Sequence, residues 1–169
     1  MTEPEPLYQE RRRSWGITFI LGASTLLLTA VLIAQCVYGP LGTKPAPTWF
    51  LATLVGLFAL LTLIFRQITL TLIEDKVEVR YGIFSTARRW EHLIACEEDE
   101  QNAFYGWGIR FGRYKHNWVW VYNVMGGPRV AFLTGKWKPK GLIVSTTNPG
   151  DVIRIANAQI RAAERRSSK

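Results

Sequence analysis

Two clusters of basic and aromatic side chains in the second half of this 169-residue sequence have the residue types that bind an acidic ligand. Phe111, Tyr114 and Trp118 are interleaved with the basic residues of the first cluster, and Trp137 stands between lysines in the second. Each Lys or Arg near an anionic membrane surface contributes about 1 kcal/mol of attraction. We therefore expect a binding surface for acidic headgroups or a protein partner, with a solubilising turn as the alternative. Its basic residues are Arg110, Arg113, Lys115, Lys136, Lys138 and Lys140.

Other residue types capable of chemistry do not form a recognisable catalytic pattern. Residues 106–112 have glycine spacing close to a dinucleotide fingerprint, but strand-forming residues follow where that motif needs a helix. His92 and His116 stand outside any zinc-ligand or nucleophile motif. The acidic run 97–100 lacks the alternation of a calcium-binding loop. We therefore expect no catalytic residue, no cofactor and no metal site.

The elements that position these residues begin with two uncharged apolar stretches. Residues 15–38 form a helix of about 36 Å, which is enough to cross a hydrocarbon core of about 30 Å. Residues 49–65 are near the short limit for a span, and the Gly- and Pro-rich segment 39–48 between the stretches cannot continue either helix. The pattern predicts a two-helix transmembrane hairpin over residues 15–66.

The flanking positive charges predict the orientation of this hairpin. Three arginines at 11–13 precede the first stretch and Arg66 follows the second, whereas only Lys44 lies between them. By the positive-inside rule, both termini are expected in the cytoplasm of a multi-pass protein of the bacterial inner (plasma) membrane. A twin-arginine signal at 12–13 or a lipoprotein cleavage box at 32–36 are the alternatives.

The remainder of the chain has the pattern of a β-rich domain closed by a helix. Residues 68–72 and 77–81 alternate apolar and polar side chains across a polar turn, which is typical of a β-hairpin. Residues 149–163 then change to helical period, with Val152, Ile153, Ala156, Ile160 and Ala163 on one face. We expect about seven strands in one curled antiparallel sheet. The further strands are predicted at 84–90, 92–96, 109–111, 118–124, 129–134 and 141–145.

The predicted organisation has four parts. They are a cytoplasmic N-terminal tail (1–14), the transmembrane hairpin (15–66, spans 15–38 and 49–65), a cytoplasmic domain (67–163) and a basic tail (164–169). The formal net charge of +8 favours acidic partners, and seven Trp, six Tyr and eight Phe residues exclude a disordered chain.

Three local stretches, at 70–82, 106–110 and 143–149, carry a resemblance to a known family. With the preceding apolar stretches, they resemble bacterial pleckstrin-homology-like (PH-like) domain proteins that have an N-terminal two-helix transmembrane hairpin. The resemblance implies an α+β fold, in which a curled antiparallel β-barrel of about seven strands is closed by one C-terminal amphipathic helix. Phosphoinositide-binding PH domains carry several basic residues at the first hairpin loop, whereas residues 74–76 here are two acids and one lysine.

These observations lead to one expected function and two alternatives. We expect a non-enzymatic, membrane-anchored binding or assembly protein, whose cytoplasmic PH-like domain binds a protein partner or further copies of itself. The first alternative is a sensor of anionic lipid headgroups that uses the basic rim at 136–140. A membrane enzyme with an unrecognised site is the second. Nucleic acid is not expected as a partner, because a domain held at the bilayer has limited access to it.

Overall fold

The folded chain is a mixed α+β structure, seen in a computed structural model that describes residues 5–39, 42, 45–100, 108–124, 127–135 and 140–167. Nine strands and three α-helices are present in this part of the chain, with a short 3-10 helix at Trp90–His92. In chain order they are β1 (Tyr8–Arg13), α1 (Trp15–Tyr38), α2 (Thr48–Ile64), β2 (Gln67–Leu72), β3 (Lys76–Tyr81), β4 (Phe84–Arg89), β5 (Leu93–Glu98), β6 (Gly108–Tyr114), β7 (Asn117–Asn123), β8 (Arg129–Thr134), β9 (Gly141–Ser145) and α3 (Pro149–Ser167).

The strands form two separate sheets. The first has the order β1-β2-β3-β4, and all its neighbours are antiparallel. The second has the order β5-β8-β9-β7-β6, in which β9 lies between β8 and β7 and runs parallel to β7. The predicted single barrel of about seven strands is therefore wrong, since the described strands close no barrel. Alternation of apolar and polar residues locates strands but does not show which strands pair with each other. It therefore did not predict that the strands form two sheets.

The predicted two-helix transmembrane hairpin is also wrong as stated. Within the described ranges, only α1 is long and apolar enough to cross a membrane, with 24 residues and a mean hydropathy of 2.3. The second apolar helix, α2, has 17 residues, or about 26 Å, which falls short of a hydrocarbon core of about 30 Å. The two helices nevertheless pack against each other. Near the end of α1, the Gln35 side-chain amide donates a hydrogen bond to the carbonyl oxygen of Ala46, just before α2, at 2.8 Å.

Strand β1 lies within the segment that was predicted to be a tail. It pairs along its full length with β2, from Tyr8 opposite Leu72 to Arg13 opposite Gln67. Its residues alternate between half-buried and exposed, which is compatible with an edge strand that has one face in solvent. The sequence pattern missed β1 because its partner lies beyond both apolar helices.

The core lies between the inner faces of the two sheets and α3. It includes Leu70, Val79 and Phe132, all almost completely buried. The C-terminal helix is confirmed, and it buries Val152, Ala156 and Ile160 as its periodicity predicts. On the same helix, Asn157 accepts a hydrogen bond from the backbone N–H of Cys96 and donates one to its carbonyl oxygen, both at 2.9 Å. These bonds satisfy the backbone of edge strand β5 where α3 covers it.

Glu10 fastens β1 to the segment that leads into α3. Its carboxylate accepts hydrogen bonds from the Thr147 backbone N–H at 2.7 Å, from the Tyr8 hydroxyl at 2.9 Å, and from the hydroxyls of Thr146 and Thr147. Burial alone raises the pKa of Glu10, but these hydrogen bonds outweigh it and hold the pKa below its ordinary value of 4.5. Arg12 adds a second link by donating to the Thr146 carbonyl oxygen at 3.1 Å.

This pKa shift predicts a pH dependence of folding. Because the folded-state pKa of Glu10 is depressed, its contribution is fully present above the unfolded-state pKa and is lost as the pH falls through the folded-state pKa. Urea denaturation of the full chain in detergent micelles, followed by tryptophan fluorescence from about pH 6 to about pH 3, should show a steeper loss of stability for wild type than for Glu10→Gln. Glu74→Gln, which changes an exposed carboxylate, should behave as wild type. Parallel profiles for wild type and Glu10→Gln would contradict the link.

Candidate functional site

The β6–β7 hairpin brings one predicted basic residue together with three aromatic rings. Phe111 pairs with Trp120, and Arg113 pairs with Trp118, so these four side chains share one face of the hairpin. The rings of Phe111 and Trp120 pack with centroids 3.7 Å apart. Phe111 and Trp118 remain 56% and 60% exposed, although they are large and apolar. We call Phe111, Arg113, Trp118 and Trp120 the aromatic face.

The other two basic residues of the first cluster are placed elsewhere. Arg110 pairs with Val121 and therefore lies on the opposite face of the hairpin. Lys115 is in the tight turn, where it and His116 both have positive φ, +43° and +67°. Its ammonium group lies 2.6 Å from a carboxylate oxygen of Glu97. The structure thus separates Arg110 and Lys115 from Arg113, although they are close in sequence.

Only one residue of the second predicted cluster can be placed. Lys136 and Lys138 lie outside the described residues. The backbone N–H of Lys140 donates to the Trp118 carbonyl oxygen at 2.8 Å, and the Lys140 carbonyl oxygen accepts from the Thr134 N–H at 3.0 Å. Lys140 is exposed and directly adjoins the aromatic face.

The acidic run is used within the fold. Glu97 accepts hydrogen bonds from Lys115 and from the Tyr114 hydroxyl. Burial raises its pKa, but these hydrogen bonds and the nearby Lys115 charge outweigh it, so the pKa lies below the ordinary value. Asp99 lies 2.8 Å from the Arg129 guanidinium, and its carboxylate is completely buried. Among the described residues no group of three or more His, Cys, Asp or Glu side chains is placed to hold a metal ion.

Cys96, in strand β5, has the properties of a core residue. Cys96 is 3% exposed. Burial, with a smaller effect of the neighbouring Glu97 charge, raises its pKa to about 12. Because the thiolate is the reactive form of cysteine, a thiol with this pKa is a poor nucleophile.

The helices leave the four-stranded sheet at one end only. The backbone N–H of Ser14 donates to the Arg66 carbonyl oxygen at 2.9 Å, which holds the start of α1 beside the end of α2. The opposite end of this sheet is the β2–β3 turn. Trp90 is fixed to that turn by hydrogen bonds from its backbone N–H to Asp75 and from its indole N–H to Ile73.

Trp118, an aromatic-face residue near the tip of the β6–β7 hairpin, is linked by backbone hydrogen bonds to the end of the first sheet that is far from the helices. Strand β5 begins at Leu93, just after Trp90, and Leu93 pairs with Thr134 of β8. Thr134 is bonded to Lys140, and Lys140 is bonded to Trp118. The hairpin tip is therefore connected, bond by bond, to the helix-distal end of the first sheet.

The helix-proximal end holds a second group of packed residues, which the sequence did not predict as a site. Ser14 and Tyr81 are completely buried there and their hydroxyls are 2.8 Å apart. Phe65 packs its ring edge-to-face on Tyr81, with centroids 5.4 Å apart. Gly82 has φ +61°, and a Cβ at this position would overlap the Ile64 carbonyl oxygen, so the β3–β4 turn lies directly against α2. The helices and the sheet are thus one packed unit.

Comparison with known proteins does not assign the chain to a family. No family model matches the sequence, and no curated protein or solved structure is detectably similar to it. The fold and the site define an α+β protein with an apolar N-terminal helix and an aromatic hairpin face. The resemblance to PH-like domains remains a proposal.

Proposed function

We propose that this chain is a non-enzymatic, membrane-anchored protein with a PH-like domain that binds another protein through its aromatic face. The main support is the exposure of Phe111 and Trp118, which are both more than half accessible on one face of the β6–β7 hairpin, with Trp118 towards its helix-distal tip. Large aromatic residues with a neighbouring Arg are enriched at the centres of protein interfaces. A membrane that held the helices would leave this end in water.

The anchor in this proposal is α1. Much of its apolar surface is exposed, including Phe19, Leu26 and Val37, each at least 67% accessible. Such a surface is costly in water and favourable in lipid. Because β1 pairs with β2, the N-terminal strand and the domain lie on the same side of the anchor, so a crossing by α1 requires α2 to bring the chain back, and its 17 residues are at the lower limit for this. The arginines at 11–13 favour the cytoplasmic side of a bacterial inner membrane.

The binding mode follows from the position of the aromatic face on the edge of a sheet. Strand β6 forms one edge of the five-stranded sheet. An extended segment can pair with such an edge through its backbone and place alternate side chains on the face beside it. Arg113 favours acidic residues in that segment, and Phe111 and Trp118 favour apolar ones. A segment of a partner protein or of a second copy of this chain fits these requirements.

A non-catalytic function agrees with how the titratable groups are used. Glu10 and Glu97 have pKa values below the ordinary value, and both are held by hydrogen bonds from neighbouring elements. These hydrogen bonds within the fold account for the pKa shifts of both carboxylates, so the shifts do not require a catalytic role. Lipid sensing by a basic rim is less well supported for Lys140, because this residue lies at the helix-distal end.

The anchoring proposal predicts a difference in accessibility between two engineered cysteines. In a Cys36→Ser, Cys96→Ala background, Ala46→Cys beyond α1 should react with an impermeant thiol reagent in intact bacterial spheroplasts. Ser167→Cys at the end of α3 should react only after the membrane is permeabilised. Labelling of Ser167→Cys in intact spheroplasts would contradict the cytoplasmic placement of the domain, and equal labelling of both sites would contradict a crossing by α1.

The binding proposal predicts site-specific capture of protein. A photo-crosslinking amino acid in place of Trp118 should form an adduct with a protein in native membranes, either a partner or a second copy. Arg113→Glu should lower the yield about fivefold or more, because a reversed charge at an interface costs more than about 1 kcal/mol. The same amino acid at Ser85, on β4, is the matched control and should not form this adduct. Adducts with lipid alone would favour the headgroup-sensor alternative.

A further inference from the structure

A group of cationic and apolar side chains surrounds the point where both helices join the sheet. We call Arg13, Trp15, Arg66, Arg80 and Ile83 the helix-foot site. The hydrogen bond between the Ser14 N–H and the Arg66 carbonyl oxygen brings the two helix ends together. Strand β3 adds Arg80, and the β3–β4 turn adds Ile83. Three separated parts of the sequence therefore contribute to one location.

Two shallow cavities lie at this location and share Arg66. The first, of about 300 Å³, is lined by Leu63 and Ile83 on its apolar side and by Arg66 and Arg80 on its cationic side. The second, of about 250 Å³, is lined by Arg13, Trp15, Thr18 and Arg66. The Thr18 hydroxyl is buried and has no hydrogen-bond partner among the described residues.

The charge of the site is mostly uncompensated. Arg80 lies 3.3 Å from Glu78, which is also 3.4 Å from Lys76, so one carboxylate serves two cations. Arg66 has no ion-pair partner among the described residues. The Arg13 guanidinium lies 6.0 Å from the centroid of the Trp15 ring, at a distance that permits a cation–π contact. The site therefore presents cationic groups that are available to an anion.

The apolar part of the site is continuous with the outward surface of α2. Leu63 is 64% exposed and Ile83 is 72% exposed. An anion that also carries an apolar chain would satisfy both halves of the site. Phosphate suits the arginines, because a guanidinium donates two parallel hydrogen bonds to phosphate oxygens. Trp15 is of the type that prefers the headgroup level of a bilayer.

We propose that the helix-foot site binds the phosphate of an anionic phospholipid, with Arg66 and Arg80 on the phosphate and Leu63 and Ile83 against the start of an acyl chain. This inference rests on the proposed membrane anchoring. It assigns a lipid ligand to the helix-proximal end, in addition to the protein partner proposed for the aromatic face. The domain would then be held at a set height and orientation relative to the membrane.

The test measures lipid preference around the full chain. The full chain is placed in nanodiscs of phosphatidylcholine that contain a minor fraction of phosphatidylglycerol. The phosphatidylglycerol carries an energy acceptor on its acyl chain. Quenching of tryptophan emission then reports how strongly phosphatidylglycerol is enriched around the protein. Wild type should enrich phosphatidylglycerol. Arg66→Gln with Arg80→Gln should reduce the apparent affinity about 30-fold, since each arginine contributes about fivefold near an anionic surface. No difference between this double variant and wild type would overturn the proposal.

A matched control separates the site from general charge. Arg88→Gln with Arg89→Gln removes the same charge from the helix-distal end of the same sheet, and it should change the preference by less than about twofold. An equal loss in both double variants would overturn the proposal. If the glutamine variant does not fold, the double variant Arg66→Lys with Arg80→Lys is used instead. It keeps both positive charges but cannot donate two parallel hydrogen bonds to one phosphate. A several-fold loss of preference is then expected, and an unchanged preference overturns the site.

Two further results distinguish the source of the phosphate and the role of the anchor. Soluble glycerol phosphate should not displace the labelled phosphatidylglycerol, because it lacks the acyl chain. Complete displacement would show a site for free phosphate esters and overturn the lipid assignment. If α1 is not an anchor, the chain will not enter nanodiscs, which overturns both proposals. Incorporated protein without lipid preference overturns this inference alone.

Discussion

The pairing of β1 with β2 joins the chain on either side of both apolar helices, and the rest of the structure depends on it. Backbone hydrogen bonds run along six register partners, and the last of these, Arg13 opposite Gln67, is followed directly by the Ser14–Arg66 backbone bond. The helices therefore start and end at the same point. Without this pairing, the arginines before α1 and after α2 would not be held at a fixed distance from each other.

The same constraint gives the domain two chemically different ends. The helix-proximal end combines arginines with exposed apolar residues such as Ile83, as expected where a protein meets a membrane surface. The helix-distal end presents Phe111 and Trp118 with Arg113, a composition that is typical of a protein interface. Glu10 and Arg12 connect β1 to the segment before α3, so the second sheet is held in place relative to the anchor. In the proposed function, a domain built in this way offers a binding surface at a defined distance from the bilayer.

Local sequence patterns predicted the elements that are stabilised locally. Alternation located the β2–β3 hairpin, and helical period located α3 with Val152 and Ile160 inward, because each pattern reflects one buried face. The patterns did not predict β1, whose partner is more than fifty residues away, or the placement of β9 beside β7, which depends on tertiary pairing. Alternation along β6 does place Arg110 and Arg113 on opposite faces, so this part of the site was available from the sequence. The ion pair of Lys115 with Glu97 could not be predicted, because it joins the β6–β7 turn to β5, which is distant in sequence.

The most direct test of this account is a register-specific disulfide between β1 and β2 in the full chain. Gln9 and Thr71 are register partners on the outer face of the sheet, whereas Gln67 pairs four positions further along β1, opposite Arg13. In a background without Cys36 and Cys96, Gln9→Cys with Thr71→Cys should oxidise readily, because directly opposite strand residues lie within disulfide range. Gln9→Cys with Gln67→Cys should remain reduced and open to alkylation. Equal alkylation of the two pairs would contradict the strand pairing on which the account rests.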